Sequence, residues 1–159
     1  MELVARRDAP EDPERPTCPT CGFVHYENPA PTVQAWIERD GRWLLLRRDR
    51  EPQRGMWNLT GGFLEPFEAP EDAVRREAHE ELGVEIEVGE LIGAFSSAYA
   101  DTGRSTLDLA YRCRLASADA QLEISDESGE AGWFALDDFP ELAFEGERKA
   151  LRAVRSGRS

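Results

Sequence analysis

No run of apolar residues approaches the roughly 18 that a membrane-spanning helix needs, and the opening stretch MELVARRDAPEDPERP lacks the apolar core of a secretory leader. These absences predict a soluble, cytoplasmic protein with no membrane partner. Cysteine is scarce too: the chain has three, and the single C-x2-C formed by Cys18 and Cys21 excludes a disulfide framework. Cys113, inside LDLAYRCRL, reads as a small buried hydrophobe. Positive charge is also short. Lys and Arg total 19 against 32 for Asp and Glu, and a net charge of -13 repels a nucleic-acid backbone, so polymeric nucleic acid is not an expected partner. A small phosphorylated ligand stays compatible, because a bound divalent cation reverses the local sign.

The 159 residues suffice for one domain with a real core. Residues 1–17, rich in Pro, Arg and acids, predict a loosely held tail, and residues 18–31 hold the cysteine pair. The domain proper is expected over residues 32–156. TVQAWIERDGRWLLLRR, from Thr32 to Arg48, predicts a hairpin turning at Asp40-Gly41, and MWNLTGG, from Met56 to Gly62, a short strand running into paired glycines. PEDAVRREAHEEL, from Pro70 to Leu82, predicts a helix with proline in its first turn and Gly83 past its end. Strands are expected over 84–99 and 105–115, a polar loop over 116–132, a restart at Trp133, and a closing helix over 148–155. The fold class is therefore α/β, a mixed sheet flanked by helices.

Within the predicted helix, Val74, Ala78 and Leu82 form a core stripe, while Glu77, Glu80 and Glu81 fall at i, i+3 and i+4 on an adjacent face. Three like charges so placed repel one another unless a cation joins them. Mg²⁺ suits the need, since it takes oxygen ligands and shares itself between a few carboxylates and substrate phosphates. A solvated acidic face with Arg76 to Glu80 pairing is the plainer alternative. Gly61 and Gly62 allow a tight backbone approach just ahead of the helix.

From Gly62 to Val84 the sequence GFLEPFEAPEDAVRREAHEELGV fills the spacing G-x5-E-x7-R-E-U-x-E-E-x-G-U, where U is apolar, and so resembles the Nudix box. The resemblance implies an α/β/α sandwich with a mixed central sheet and Mg²⁺-dependent hydrolysis of a pyrophosphate bond, with Mn²⁺ as a substitute. It implies Glu77, Glu80 and Glu81 as metal ligands with the Gly61 carbonyl, and Arg76 as the partner of Glu68 or Glu77. One of the glutamates would also orient or deprotonate water. In several family members a base or added ligand comes from the loop before the last tryptophan-bearing strand. Asp126, Glu127 and Glu130 occupy that place here, with Glu127 preferred and an ordinary acidic loop as the alternative. Tyr99 is the candidate for stacking on a base, with core packing equally open.

CPTCGFVHYENPAP, GMWNLTGGF and WFALDDFPELAF extend the resemblance to bacterial Nudix proteins that begin with a zinc ribbon, some of them ADP-ribose or NADH pyrophosphatases. The stretch FSSAYADTGRS departs from the NADH-pyrophosphatase pattern. Only one cysteine knuckle is present, so zinc is not expected as a cofactor; His25 and a further ligand, supplied for example across a homodimer, would be needed to close a site. The expected activity is hydrolysis of an ADP-ribose-like or dinucleotide substrate. The alternatives are a nucleoside triphosphate pyrophosphatase and a non-catalytic nucleotide sensor.

Overall fold

The computed structural model describes residues 2–100 and 102–157. Its elements run β1 (Val4–Arg6), β2 (Arg15–Thr17), β3 (Ala30–Arg39), β4 (Arg42–Arg48), β5 (Trp57–Asn58), α1 (Pro70–Leu82), β6 (Ile86–Ala98), β7 (Ser105–Leu115), β8 (Ser128–Ala135) and α2 (Glu145–Arg155), with a 3-10 turn at Leu136–Asp138. The expected α/β class and mixed sheet are present. β3 lies parallel to β7, from Ala30 opposite Thr106 to Ile37 opposite Cys113, and β7 is antiparallel to β6. β4 is antiparallel to β8 and β5.

The β3–β4 pairing is confined to the turn end, where Glu38 faces Trp43 and Arg39 faces Arg42. Beyond that end β3 takes a different neighbour: Val33 N–H donates to Gly62 O (2.9 Å) and Ala35 N–H to Thr60 O (2.8 Å). Chain segment 60–63 is thereby laid along β3, and this places the paired glycines against the sheet. A Cβ on Gly61 would stand 2.1 Å from Val33 O, so the position admits only glycine.

Strand alternation sorts the core into two halves. Val33, Ala35, Ile37, Leu44 and Leu46 pack with Ala73, Val74, Ala78 and Leu82 of α1. Trp36, Trp43 and Leu45 point the other way and pack with Ala150, Leu151 and Val154 of α2. The result is helix, sheet, helix. Truncating fully buried Leu82 to Ala would cost about 2–5 kcal/mol.

Several boundaries differ from expectation: the strand expected over 56–62 is reduced to β5, Trp57–Asn58, because residues 60–63 lie along β3 instead. Residues 4–17 were expected to be loose, yet β1 and β2 pair antiparallel from Val4 opposite Thr17 to Arg6 opposite Arg15. The β1 side chains are exposed, so β1 is held by backbone pairing to β2, whose Thr17 is buried; Met1 lies outside the described residues. β8 begins at Ser128, inside the expected loop, because it pairs with β4 across a bulge at Arg47/Arg48. α2 begins one turn early, at Glu145, because the Glu147 carboxylate accepts from Phe144 N–H (3.2 Å) and caps it. No helix among the described residues is long and apolar enough to cross a membrane.

Candidate active site

α1 starts on Pro70 and ends at Gly83, whose left-handed backbone (φ 66°) lets its N–H return to His79 O. With Val74, Ala78 and Leu82 fully buried, Glu77, Glu80 and Glu81 are turned onto the neighbouring face. Arg76 organises that face. Its Nε and Nη2 grip the two oxygens of Glu68 at 2.8 and 3.0 Å, Nη1 reaches Glu77 (2.8 Å) and Glu80 (3.2 Å), and Nη2 also donates to Phe63 O (3.1 Å). Both partners expected for Arg76 are thus engaged at once, and the fork fixes the loop before the helix to the helix itself.

The glutamates differ electrostatically. Arg76, and then the Glu65 N–H, hold the Glu68 carboxyl down at about 2. Burial pushes Glu77 up against the opposing pull of Arg76. Glu81 is pushed up to about 8 by burial and by the charge of Glu77, although Gly61 N–H donates to it at 3.2 Å. Gly62 is equally close, since a Cβ there would meet Glu77 Oε1 at 2.4 Å. Gly61 therefore lies beside Glu81 and Gly62 beside Glu77.

The loop before β8 is hooked to the end of α1: Glu123 N–H donates to Leu82 O (2.8 Å) and Ser125 N–H to Glu81 O (3.0 Å). These bonds satisfy carbonyls that a helix end leaves open, and they carry Glu127 to the glutamates. Glu127 is paired with Arg50 and lines one open cavity with Glu77, Glu80 and Glu81. Glu130 is instead 3.7 Å from Arg47. The donor set is oxygen-rich carboxylate, which fits a hard divalent cation. No three acids, His or Cys among the described residues are already drawn to metal-ligand spacing.

A second cavity, of about 120 Å³, adjoins the first and shares Arg50, Gly61, Gly62, Phe63 and Glu81 with it. Tyr99 stands in its wall, stacked on Phe144 (5.5 Å between ring centres, 12°) with Phe63 edge-on at 5.5 Å. Arg48 lies 4.9 Å over the Phe144 ring, and burial lowers its pKa. Buried Asp108 and Glu147 also line this cavity. Glu147 accepts from Leu59 N–H (2.8 Å) as well as Phe144, and its pKa is pushed up to about 8 by burial. Sequence reasoning missed Asp108, Glu147, Arg48, Arg50 and Phe144. Two were signalled: Asp108 falls on the buried face of β7 with Thr106 and Ala110, and Glu147 begins the i, i+3, i+4, i+7 stripe completed by Ala150, Leu151 and Val154. Trp57 packs edge-on against Phe134, a core contact.

In the N-terminal segment Cys18 N–H donates to Phe23 O and Gly22 N–H to Cys18 O, a preserved knuckle turn. Cys18 is buried and Cys21 exposed; backbone N–H groups of Cys21 and Thr20 lower the Cys18 thiol pKa. Cys113 sits in the core, its thiol pushed up to about 12 by burial.

Glycines against a sheet, an arginine-clamped glutamate helix and a second acid loop, held in a helix–sheet–helix sandwich, assemble oxygen donors of the kind a divalent cation takes. The NUDIX domain family matches residues 28–154, and this chain belongs to that family of hydrolases, whose members use divalent metal ions such as Mg²⁺. It is 36% identical over 123 residues to the ADP-ribose pyrophosphatase of Methanocaldococcus jannaschii, covering 77% of this chain and 72% of that protein. It is also 36% identical over 125 residues to the NAD-capped RNA hydrolase NudC of Chromobacterium violaceum, covering 79% of this chain but only 45% of that longer protein. A crystal structure of a NUDIX hydrolase from Nitrosomonas europaea matches with TM-score 0.76 at 27% identity, over 99% of this chain and 89% of that one.

Proposed function

We propose that this chain hydrolyses the pyrophosphate bond of an ADP-ribose-like or dinucleotide substrate, with Mg²⁺ held by Glu77, Glu80, Glu81 and the Gly61 carbonyl. Mn²⁺ would serve in its place. The observation that carries the reading is the adjacency of the two cavities: one is acidic and open, the other about 120 Å³ and walled by Tyr99 and Phe144. The aromatic wall suits the face of a ring, and the shared Gly61 and Gly62 leave a diphosphate to lie at the acids. The name of the Methanocaldococcus relative supports the same substrate class.

A divalent cation bound there would neutralise the pyrophosphate oxygens and lower the pKa of a bound water. The residues of the chain provide the rest. Arg76 ties Glu68, Glu77 and Glu80 to one another, so a cation would draw together carboxylates already held on one face. Arg50, bordering both cavities, would meet the bridging phosphates, and its partner Glu127 would take a proton from water. Tyr99 stacks on the ring. The net charge of -13 favours a small nucleotide over an RNA 5′ end.

A product-resolved assay with Mg²⁺ tests the reading across ADP-ribose, NADH, NAD-capped RNA, dinucleoside polyphosphates and nucleoside triphosphates. The expected products are AMP and ribose 5-phosphate from ADP-ribose. Pyrophosphate release from nucleoside triphosphates, with ADP-ribose left intact, would replace this reading with the triphosphate one. A shorter likeness points that way: 46% identity over 63 residues, 39% of this chain, to the CTP pyrophosphohydrolase of Escherichia coli. Binding without any cleavage would indicate a sensor.

A further inference from the structure

The ring-sized cavity has a polarity that can be derived proton by proton. Asp108, only 6% exposed, accepts from two hydroxyls, Thr32 Oγ1 at Oδ1 and Ser97 Oγ at Oδ2, the latter at 2.6 Å. A carboxylate has no proton to give, so both hydroxyl protons point at it. Ser97 also lies 2.8 Å from Thr106 Oγ1, and with the Ser97 proton already committed, Thr106 must be the donor in that contact. All three hydroxyl protons are therefore spent inside the network. What Thr32, Ser97 and Thr106 retain for a ligand is lone pairs.

A separate observation points the same way. Asn58, 7% exposed and lining the same cavity, gives its Nδ2 to Leu59 O (2.8 Å), while its Oδ1 is buried with no hydrogen-bond partner. A buried acceptor left open is costly and is normally satisfied by something that binds. The two Glu147 oxygens are already occupied by Leu59 and Phe144 N–H. Gln34, whose Oε1 accepts from Trp36 Nε1 (3.3 Å), keeps its amide N–H2 to offer. Around Asp108 the floor is thus rich in acceptors, with the Gln34 amide and the second Asn58 N–H beside them as amide donors. The first turn of α2 closes it tightly: a Cβ on Gly146 would stand 1.8 Å from Asp108 Oδ2.

We propose that Asp108, with Thr32, Ser97, Thr106 and Asn58, forms a nucleobase subsite selecting rings that carry an exocyclic amine, adenine and cytosine, over their oxo counterparts, hypoxanthine and uracil. An amine brings two N–H donors to a floor of acceptors, with the adjacent ring nitrogen left for the Gln34 amide. An oxo group in the same place sets lone pairs against lone pairs. A site whose buried polar groups are left unpaired rejects the wrong ligand strongly. The proposal rests on the nucleotide-binding part of the function above and is independent of which bond is cut.

The test uses nucleoside monophosphates, which have no pyrophosphate link to cleave. Equilibrium dialysis of the full chain in Mg²⁺ buffer against AMP, IMP, CMP and UMP should show AMP over IMP and CMP over UMP by at least about tenfold in Kd. Asp108→Asn places an N–H2 in the acceptor floor and should bring each pair to within about threefold. Equal affinities within both pairs in the unaltered protein, or no binding of any of the four, would overturn the proposal, whether or not the variant folds. Amine-selective binding combined with intact ADP-ribose in the hydrolysis assay would sustain the subsite and remove the ADP-ribose reading.

Discussion

The two adjoining cavities are built in opposite ways. The acid cavity takes Gly62, Glu65, Arg76, Glu77, Glu80 and Glu81 from one contiguous stretch, where helix periodicity alone sets three carboxylates on a face. The ring-sized cavity draws Thr32 and Gln34 from β3, Asn58 from β5, Ser97 from β6, Asp108 from β7 and Glu147 from α2. The first holds its charges against arginine and solvent; the second satisfies them with hydroxyls and backbone N–H groups in the interior. Chemistry that depends on charge density can be local, whereas recognition of a ring needs walls from several elements.

The contrast breaks most sharply at the carboxylates of α1. Glu80→Gln and Glu81→Gln should each lower kcat at least about a hundredfold while AMP binding changes less than about threefold, measured by steady-state kinetics and dialysis on the same folded protein. A matching loss in both would mean that the cavities act as one. Metal should sharpen the difference: Mg²⁺ at a hundred times its Kd stabilises the native state by about 2.7 kcal/mol, seen as a rise in Tm that the two Gln variants lack. An unchanged Tm across millimolar Mg²⁺ in the parent chain counts against the site.

In the second cavity the lever is pH. The folded pKa of Glu147 is raised to about 8, above an unfolded value near 4.3, so the unfolded chain releases this proton first as pH rises. Its contribution to stability is full below pH ~4.3 and is lost progressively as pH climbs through about 8. Glu147→Gln should flatten that part of a metal-free urea-midpoint profile between about pH 5 and 8, and a profile with unchanged slope would refute the assignment. The smallest effect belongs to the N-terminal knuckle. Cys18→Ser with Cys21→Ser should shift Tm by no more than a few degrees and leave hydrolysis intact, with well under one zinc per chain by elemental analysis. Stoichiometric zinc that survives EDTA would return the segment to a structural role.

The sequence makes one of these cavities far more legible than the other. Pro70 to Leu82 is bounded by local signals, proline at its start and glycine past its end, and the structure begins and ends α1 at those residues. The strand Ser105–Leu115 is likewise observed as read. Glu127 was reached only through resemblance, because backbone bonds from residues 123 and 125 set its position and leave no compositional trace. Asp108 and Glu147 were visible as acids on apolar faces, but their partners lie 76 and 88 residues away, at Thr32 and Leu59, and no local pattern pairs them. The β1–β2 pairing escaped notice because β1 is exposed and β2, Arg-Pro-Thr, carries no hydrophobic alternation.

The loop that ends at Glu127 is fastened to α1 by amides, not by side chains: Glu123 N–H to Leu82 O and Ser125 N–H to Glu81 O. Proline is therefore excluded at positions 123 and 125, since it has no N–H to give. Exposed residues 117–119 are the freest part of the approach to the hook, while Ala120 and Leu122 pack on the α1 side of the core. Those two amide protons are also natural timers of the site. In deuterium exchange they should persist while the neighbouring loop amides vanish, and the rate at which they are finally lost reads how often the acid loop lifts away from the helix.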